Sequence, residues 1–445
     1  MNYHNSEHAV DGDAGHLADL FGTPLLVIDE QVLRATMRRF RVAFTRANVR
    51  CDVVYAGKAL MLQAIARLAF EEGLLLDVCS EGELHTALRA GVPAHSCIVH
   101  GCAKTNQELE LAVRRGVDSV VVDHVGEIHA LDAIAQRHNA SCPVLVRINP
   151  GIAAATKAKI QTSAPGSKFG FPVNDGQALD AIRLVEQAAA LEFRGLHCHI
   201  GSQIFDLQTY ASEIEDLAAF AALVQREAGV VARVINVGGG LGVGDNDPKD
   251  APAPEDWAAT IFSNVERFFA RASLPLPHLM VEPGRSIVAA AGATLYRVAV
   301  VKTLASGEQA LIVDGGMSDN PRPALYEAAY RVTLASGKRG ATADHCYTIF
   351  GRHCETDLLF SNVTLPPTAA GDVLAVRNTG AYTYSMASNY NRFPRPAVVL
   401  VNGTDARLIG RRESLEHLLD LDVAVDGSAE AAGGRTADSE LGTRT

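Results

Sequence analysis

Between about residues 52 and 285 a short apolar run and an amphipathic helical stretch alternate again and again, and no other feature restricts the fold as much. The runs are "DVVYA" (52–56), "LLLDV" (74–78), "CIVHG" (97–101), "SVVVDH" (119–124), "PVLVRIN" (143–149), "FRGLHCHI" (193–200), "VINVGGG" (234–240) and "HLMVEPG" (278–284). Segments between them, such as "MLQAIARLAFEEG", "NQELELAVRRG" and "SEIEDLAAFAALVQREAG", repeat apolar residues at three- and four-residue spacing, and several end in Gly, a helix stop signal. Eight strands alternating with helices over roughly 250 residues is the size of a (β/α)8 barrel. A doubly wound open sheet is the competing arrangement, and strand count and span favour the barrel. The interval 149–193 must hold a long loop, "PGIAAATKAKIQTSAPGSKFGF", before its helix; loops of that length are commonly functional or disordered.

After about residue 290 the rhythm changes. "ATLYRVAVVKTL", "QALIVDGG", "CYTIFG", "NVTLP", "DVLAVRNTGAY", "AVVLV" and "ARLIGRRE" read as strands joined by turn residues with little helix, an antiparallel β domain of sandwich or Greek-key type. "TPLLVIDE" (23–30) could add a strand to it, ahead of the helix "VLRATMRRFRVAFTRA". The expected division is a barrel over 30–290, a β domain from 1–29 and 291–425, and a disordered polar tail over 426–445. A net charge of -11 argues against nucleic-acid or membrane-surface binding, although local arginines can still hold small anions. Eight scattered cysteines without a CxxC pair suit a reduced, cytoplasmic chain and neither a disulfide framework nor a zinc site. No apolar stretch reads as a signal peptide or a membrane span, and no metal is expected.

In such barrels the chemistry sits at the C-terminal ends of the strands. Those ends carry Lys58, Asp77 with Ser80, His100, Asp123, Arg147 with Asn149, His197 with His199, Gly238-Gly239-Gly240, and Glu282. The last two strands run into "NVGGGLG" and "EPGRS", where this fold commonly binds phosphate and where glycines let backbone N–H groups approach an anion. A GGG by itself is also an ordinary tight turn, and a lysine by itself also snorkels to a barrel rim; together they point elsewhere. A lysine desolvated in an apolar strand mouth should have a lowered pKa and react as a Schiff-base amine. Opposite a phosphate cradle, its natural aldehyde partner is pyridoxal 5'-phosphate, with Glu282 near the pyridine nitrogen.

"YAGKA", "HCHIGSQI", "NVGGGLG", "EPGRSI", "DGGMSDNPRPALY", "HCETD" and "GAYTYSMASNYN", in order over about residues 20 to 425, resemble the fold-type III pyridoxal-phosphate decarboxylases, and among them the bacterial diaminopimelate decarboxylases. The resemblance implies that Lys58 carries the cofactor, His199 stacks on its ring and acts catalytically, and Ser202 lies near the phosphate. It implies a phosphate cradle of Gly240, Gly284 and the Arg285 backbone helped by Tyr382, with Gly239 and Asp77 also counted at the cofactor. Glu282 would pair with the pyridine nitrogen, while His197 is read as packing only. Arg285, Arg322 and Tyr326, with Tyr382, resemble a clamp on a distal carboxylate, suited to bidentate pairing, and Glu355 would take the distal ammonium. Cys354 resembles a proton donor, and with Glu355 it would reach into a partner subunit, so a homodimer with shared sites is implied. The implied reaction is decarboxylation of meso-diaminopimelate to L-lysine.

Three departures bear on the substrate. "CETD" is one residue shorter than the family's usual run, Ala155 and Lys157 stand where histidines are common, and Cys102 and Ala103 stand where two asparagines are usual. The alternatives are a sister decarboxylase for another amino acid, a racemase, and a non-catalytic pyridoxal-phosphate carrier. The acid–thiol pair argues against the racemase, which needs a base on each ring face, and the β domain argues against the carrier.

Overall fold

The computed structural model describes residues 9–151, 162–163, 166–244, 251–335 and 342–423. The loop positions Ala155 and Lys157 and the tail expected at 426–445 lie outside the described residues. A first helix, α1 (Ala9–Phe21), leads into β1 (Leu25–Asp29) and α2 (Glu30–Ala43), whose first turn is capped by the Asp29 carboxylate accepting from the Val32 N–H at 3.0 Å. There follow β2 (Cys51–Ala56), β3 (Leu75–Val78), β4 (Cys97–Val99), β5 (Ser119–Val122) and β6 (Cys142–Asn149). The two-residue β7 (Phe171–Pro172), β8 (Leu191–His197), β9 (Val234–Asn236) and β10 (His278–Val281) complete the set. Each neighbouring pair is parallel, in the order β2-β3-β4-β5-β6-β8-β9-β10, and β10 pairs with β2. The sheet therefore closes into the expected eight-stranded barrel, with β7 attached outside the ring to the end of β6.

All eight anticipated strands are present, five of them ending two to four residues before the quoted runs do. The helices between them bury apolar stripes against the outer face of the barrel. Trp257, wholly buried on the helix Pro254–Arg271, packs against Phe40, Phe44 and Tyr210 and ties α2 to that wall.

The remaining strands are β11 (Gly292–Thr303), β12 (Gln309–Val313), β13 (Val332–Leu334), β14 (His345–Phe350), β15 (Leu358–Leu365), β16 (Val373–Arg377), β17 (Ala397–Asn402) and β18 (Asp405–Gly410). With β1 they form a separate nine-stranded sheet, so "TPLLVIDE" does supply a strand to it. The sheet is mainly antiparallel, as expected, but β1–β17 and β12–β14 are parallel pairs. Neither pair is joined by a hairpin: β1 and β17 come from opposite ends of the chain, and a long crossover separates β12 from β14. The helix α1, the strand β13 and the short helix Arg322–Tyr326 have no counterpart in the sequence reading. Among the described residues no helix is long and apolar enough to cross a membrane.

Candidate active site

Strand alternation aims the chemistry. Val54, Ile98, Val121, Leu145, Val234 and Met280 make one buried cluster, with Leu75 packed on it, while their strand neighbours Val53, Tyr55, Val120, Val122 and Val281 belong to the layer beneath the helices. The first set fills the barrel interior, because successive side chains on a strand face opposite sides. Two residues further along the same face stand Asp77, His100, Asp123, Arg147, Asn236 and Glu282, and His197 follows Gly195 in the same way. A period of two thus gathers onto one end of the barrel most of the polar groups read from the strand ends.

At the centre Glu282 lies buried between two histidines. Its Oε1 is 3.0 Å from His100 Nε2, its Oε2 is 3.2 Å from His197 Nε2, and Asn236 donates to Oε1 at 2.6 Å. Burial alone would raise the Glu282 carboxyl, but His100 and His197 against its oxygens hold it well below the carboxylate range. Burial pushes His197 down to about 4, so at neutral pH it is an uncharged ring donating to Glu282. His197 is therefore more than packing. The sequence reading named it at a strand end but set it aside as packing, and Asn236 was missed, although both lie in register with the interior cluster. Ligand atoms of His100, His197 and Glu282 lie within 4.8 Å of one another, a donor set that could also hold a divalent metal.

Lys58 sits in a single 3-10 turn (Gly57–Ala59) that ends β2. The register Ala56↔Asp77 brings the neighbouring strand's wholly buried carboxylate alongside, with Lys58 Nζ 3.1 Å from Asp77 Oδ2. The Cys79 thiol donates to Asp77 Oδ1 at 3.4 Å. The expected fall in the Lys58 pKa is corrected here. Burial would lower it, but Asp77, backed by Cys79, Tyr382 and Glu282, outweighs burial and holds the ammonium well above its ordinary value. A cavity of about 390 Å3 opens over these groups, lined by Lys58, Cys79, His100, Arg147, His199 and Glu282, and also by Cys102 and Ala103.

The glycine loops close in from one side. Gly238 and Gly240 have φ of +64° and +100°, and a Cβ on Gly239 would lie 1.9 Å from the Glu282 carbonyl oxygen. At Gly284 a Cβ would come within 2.9 Å of the Ala56 methyl. The Gly239 N–H donates to His199 Nδ1 at 3.2 Å. Burial, with Lys58 and Arg147 nearby, holds His199 well below its ordinary value, so its ring is neutral and carries its proton on Nε2. Arg285 donates to Ser202 Oγ at 3.3 Å and lies 4.5 Å over the Tyr382 ring. Arg322 lies 5.0 Å over Tyr326 and 5.8 Å over Tyr382, and the Tyr382 N–H donates to the Ala59 carbonyl at 2.9 Å. A chain of contacts thus joins Ser202, Arg285, Tyr382, Arg322 and Tyr326 to the turn that carries Lys58.

Cys354 and Glu355 stand apart. Both are exposed, on the turn between β14 and β15, and neither lines the cavity of its own chain. The Cys354 N–H donates to Asn391 Oδ1 at 3.1 Å, and Tyr390 donates to Glu355 Oε1 at 2.6 Å. The shortened "CETD" turn is closed by Asp357 at φ +45°, with its carboxylate buried.

His197 yields a pH prediction. Its native pKa of about 4 lies below its ordinary 6.5. Above 6.5 both folded and unfolded chains leave it neutral; between 6.5 and 4 only the unfolded chain takes the proton, so stability is lost as pH falls through that window. The loss approaches about 1.4 kcal/mol per pH unit. Replacing His197 with Asn, which can donate but does not titrate, is expected to flatten the acid-side dependence of unfolding free energy by that slope. Denaturant titrations at pH 7, 6 and 5 measure it, and an unchanged slope contradicts the assignment.

Residues 30–289 match the family described as pyridoxal-dependent decarboxylase, pyridoxal binding domain. The chain is 40% identical to diaminopimelate decarboxylase of Bacillus subtilis (strain 168), over 95% of this chain and 96% of that one. It is 42% identical to the diaminopimelate decarboxylase of Actinosynnema pretiosum subsp. auranticum, over 91% and 90%. Among solved structures, diaminopimelate decarboxylase from M. jannaschii superposes with a TM-score of 0.86 at 33% identity, covering 92% of this chain and 94% of that one. The Helicobacter pylori enzyme complexed with L-lysine gives 0.83 at 29% identity, covering 91% and 98%. With the match spanning nearly its whole length, the chain belongs to the diaminopimelate decarboxylase family of pyridoxal-dependent decarboxylases.

Proposed function

We propose that this chain removes CO2 from meso-2,6-diaminopimelate to give L-lysine, as a homodimer with shared active sites in the cytoplasm. The observation that carries the reading is a lysine ammonium and an ionised, buried Glu282 facing one cavity beside glycine-lined turns. Those residues fit pyridoxal phosphate: an amine for the aldehyde, a carboxylate for the pyridine nitrogen, and backbone amides for the phosphate. Such a cofactor, when bound, supplies an electron sink for the carbanion left by CO2 loss.

The protein's own groups divide the remaining work. Lys58 would be the tether, and Asp77 Oδ2, 3.1 Å from Nζ, holds that side chain in place. Glu282, fixed by Asn236 and His197, would offer its negative charge to the pyridine nitrogen. Neutral His199, held through Nδ1, would present an uncharged ring to the cofactor. Ser202, Gly240, Gly284 and the Arg285 backbone would hold the phosphate with Tyr382, while the Gly239 N–H keeps His199 in place. Arg285, Arg322 and Tyr326 grip the distal carboxylate, which orients the scissile bond at the other end of the substrate. Cys354 and Glu355, exposed and absent from their own chain's cavity, suit entry into a neighbouring barrel, where the thiol delivers the final proton and the carboxylate takes the distal ammonium. Eight free cysteines are consistent with a reduced compartment.

The test is CO2 release by the holoenzyme from a panel of amino acids, with L-lysine detected as product. Release from meso-diaminopimelate at the highest kcat/KM supports the proposal. A higher kcat/KM for another amino acid replaces it with a sister decarboxylase.

A further inference from the structure

Asp357 has no part in the reaction as described, yet it joins two loops that do. Its Oδ1 accepts from the Met317 N–H at 2.8 Å, and its Oδ2 accepts from the His353 N–H at 3.1 Å and pairs with His353 Nδ1 at 2.8 Å. Its own carbonyl accepts from the Gly351 N–H at 2.8 Å, and the Arg352 N–H reaches the Gly315 carbonyl at 3.0 Å. Both Asp357 and His353 are buried. The fit leaves no slack, because a Cβ on Gly316 would come 2.2 Å from Asp357 Oδ2, and one on Gly351 would come 2.0 Å from the same atom. On one side of this junction the 315–320 turn, held again by Asp319 accepting from the Gly316 N–H at 2.8 Å, leads straight into Arg322. On the other side His353 is followed at once by Cys354 and Glu355.

We infer that Asp357 is a positioning residue that rigidly couples the substrate clamp of one active site to the proton donor of the other. The inference rests on the shared-site reading above. Arg322 is tied through Tyr382 to its own chain's Lys58 turn, whereas Cys354 serves the neighbouring barrel. One buried carboxylate therefore sets the geometry of two sites at once. The buried acid's hydrogen bonds to two separate loops, and not its charge alone, perform this role.

A hybrid dimer of one Lys58→Ala chain and one Cys354→Ala chain separates the two functions. Its single intact site draws Lys58 and Arg322 from the C354A chain and Cys354 from the K58A chain. Asp357→Asn placed in the K58A chain is expected to lower kcat by about tenfold with KM little changed. Placed in the C354A chain, it is expected to raise KM by about tenfold with kcat little changed. Equal effects from the two placements, or an effect from only one, overturn the coupling. A parent hybrid without activity instead removes the shared-site reading, and the coupling with it. In the D357N homodimer the Met317 and His353 amides should lose hydrogen-exchange protection together, and loss at only one overturns the inference without reference to turnover. If D357N chains do not assemble, His353→Gln, which keeps the Met317–Asp357 bond, is put through the same placements. It should lower kcat only from the K58A chain, and an effect from both chains overturns the proposal.

Discussion

Replacing Lys58 with Ala is expected to reduce turnover by roughly 10^3- to 10^4-fold, and to abolish the absorbance of lysine-bound cofactor. Among the described residues no other amine lining the cavity can take over. Lys104, the other described lysine on its wall, has a side chain 2% exposed and fully engaged, 2.6 Å from Glu127 and donating to the Gly101 and Val121 carbonyls at 2.6 and 2.8 Å. Moving that ammonium would leave Glu127 buried and unpaired, a loss of about 3–5 kcal/mol. Because Lys58→Ala also strips the buried Asp77 of its cation, Lys58→Arg is the informative companion. It keeps the charge beside Asp77 but cannot form a Schiff base, so it should be equally inactive with a thermal midpoint near that of the parent. Activity in K58R, or a collapse of its stability, would contradict a covalent role.

Replacing Cys354 with Ala is expected to lower kcat by roughly 10^2-fold, the size of a lost proton donor, with KM little changed. Nothing inside its own chain explains such a loss, since Cys354 is exposed and off the cavity. The prediction therefore carries the dimer with it. When inactive K58A and C354A chains are mixed and allowed to exchange, about half of the two-fold dimers should be hybrids, each with one sound site of two, so about a quarter of parental activity should return. No recovery in a mixture shown to exchange subunits would place Cys354 outside the active site.

The sequence made the barrel legible because eight apolar runs alternating with amphipathic helical stretches admit few other architectures, and the strand-end rule then picked out Asp77, His100, Arg147 and Glu282. It could not supply lateral register. That Asp77 stands beside Lys58 depends on how β2 and β3 are staggered, and this pairing turned an expected lowering of the Lys58 pKa into a raising. His197 was set aside as packing because its letters do not reveal which face it occupies; counting in twos from the interior residue of each strand was the signal available. Asn236 carried the same signal, one strand over. In the β domain the parallel pairs β1–β17 and β12–β14 join segments distant in sequence, and no local pattern reports them. The shortened "CETD" turn looked like a lost residue. In the structure Asp357 closes that turn in the left-handed region, with its carboxylate between two loops.

On the proposed reading one amine of this chain, Lys58, carries the cofactor at the mouth of the barrel. Borohydride reduction of the holoenzyme, followed by peptide mapping of the fixed pyridoxyl group, tests it most directly. A single modified lysine is expected, in the peptide containing "YAGKA". A label on Lys104, or on a lysine of the β domain, would contradict it.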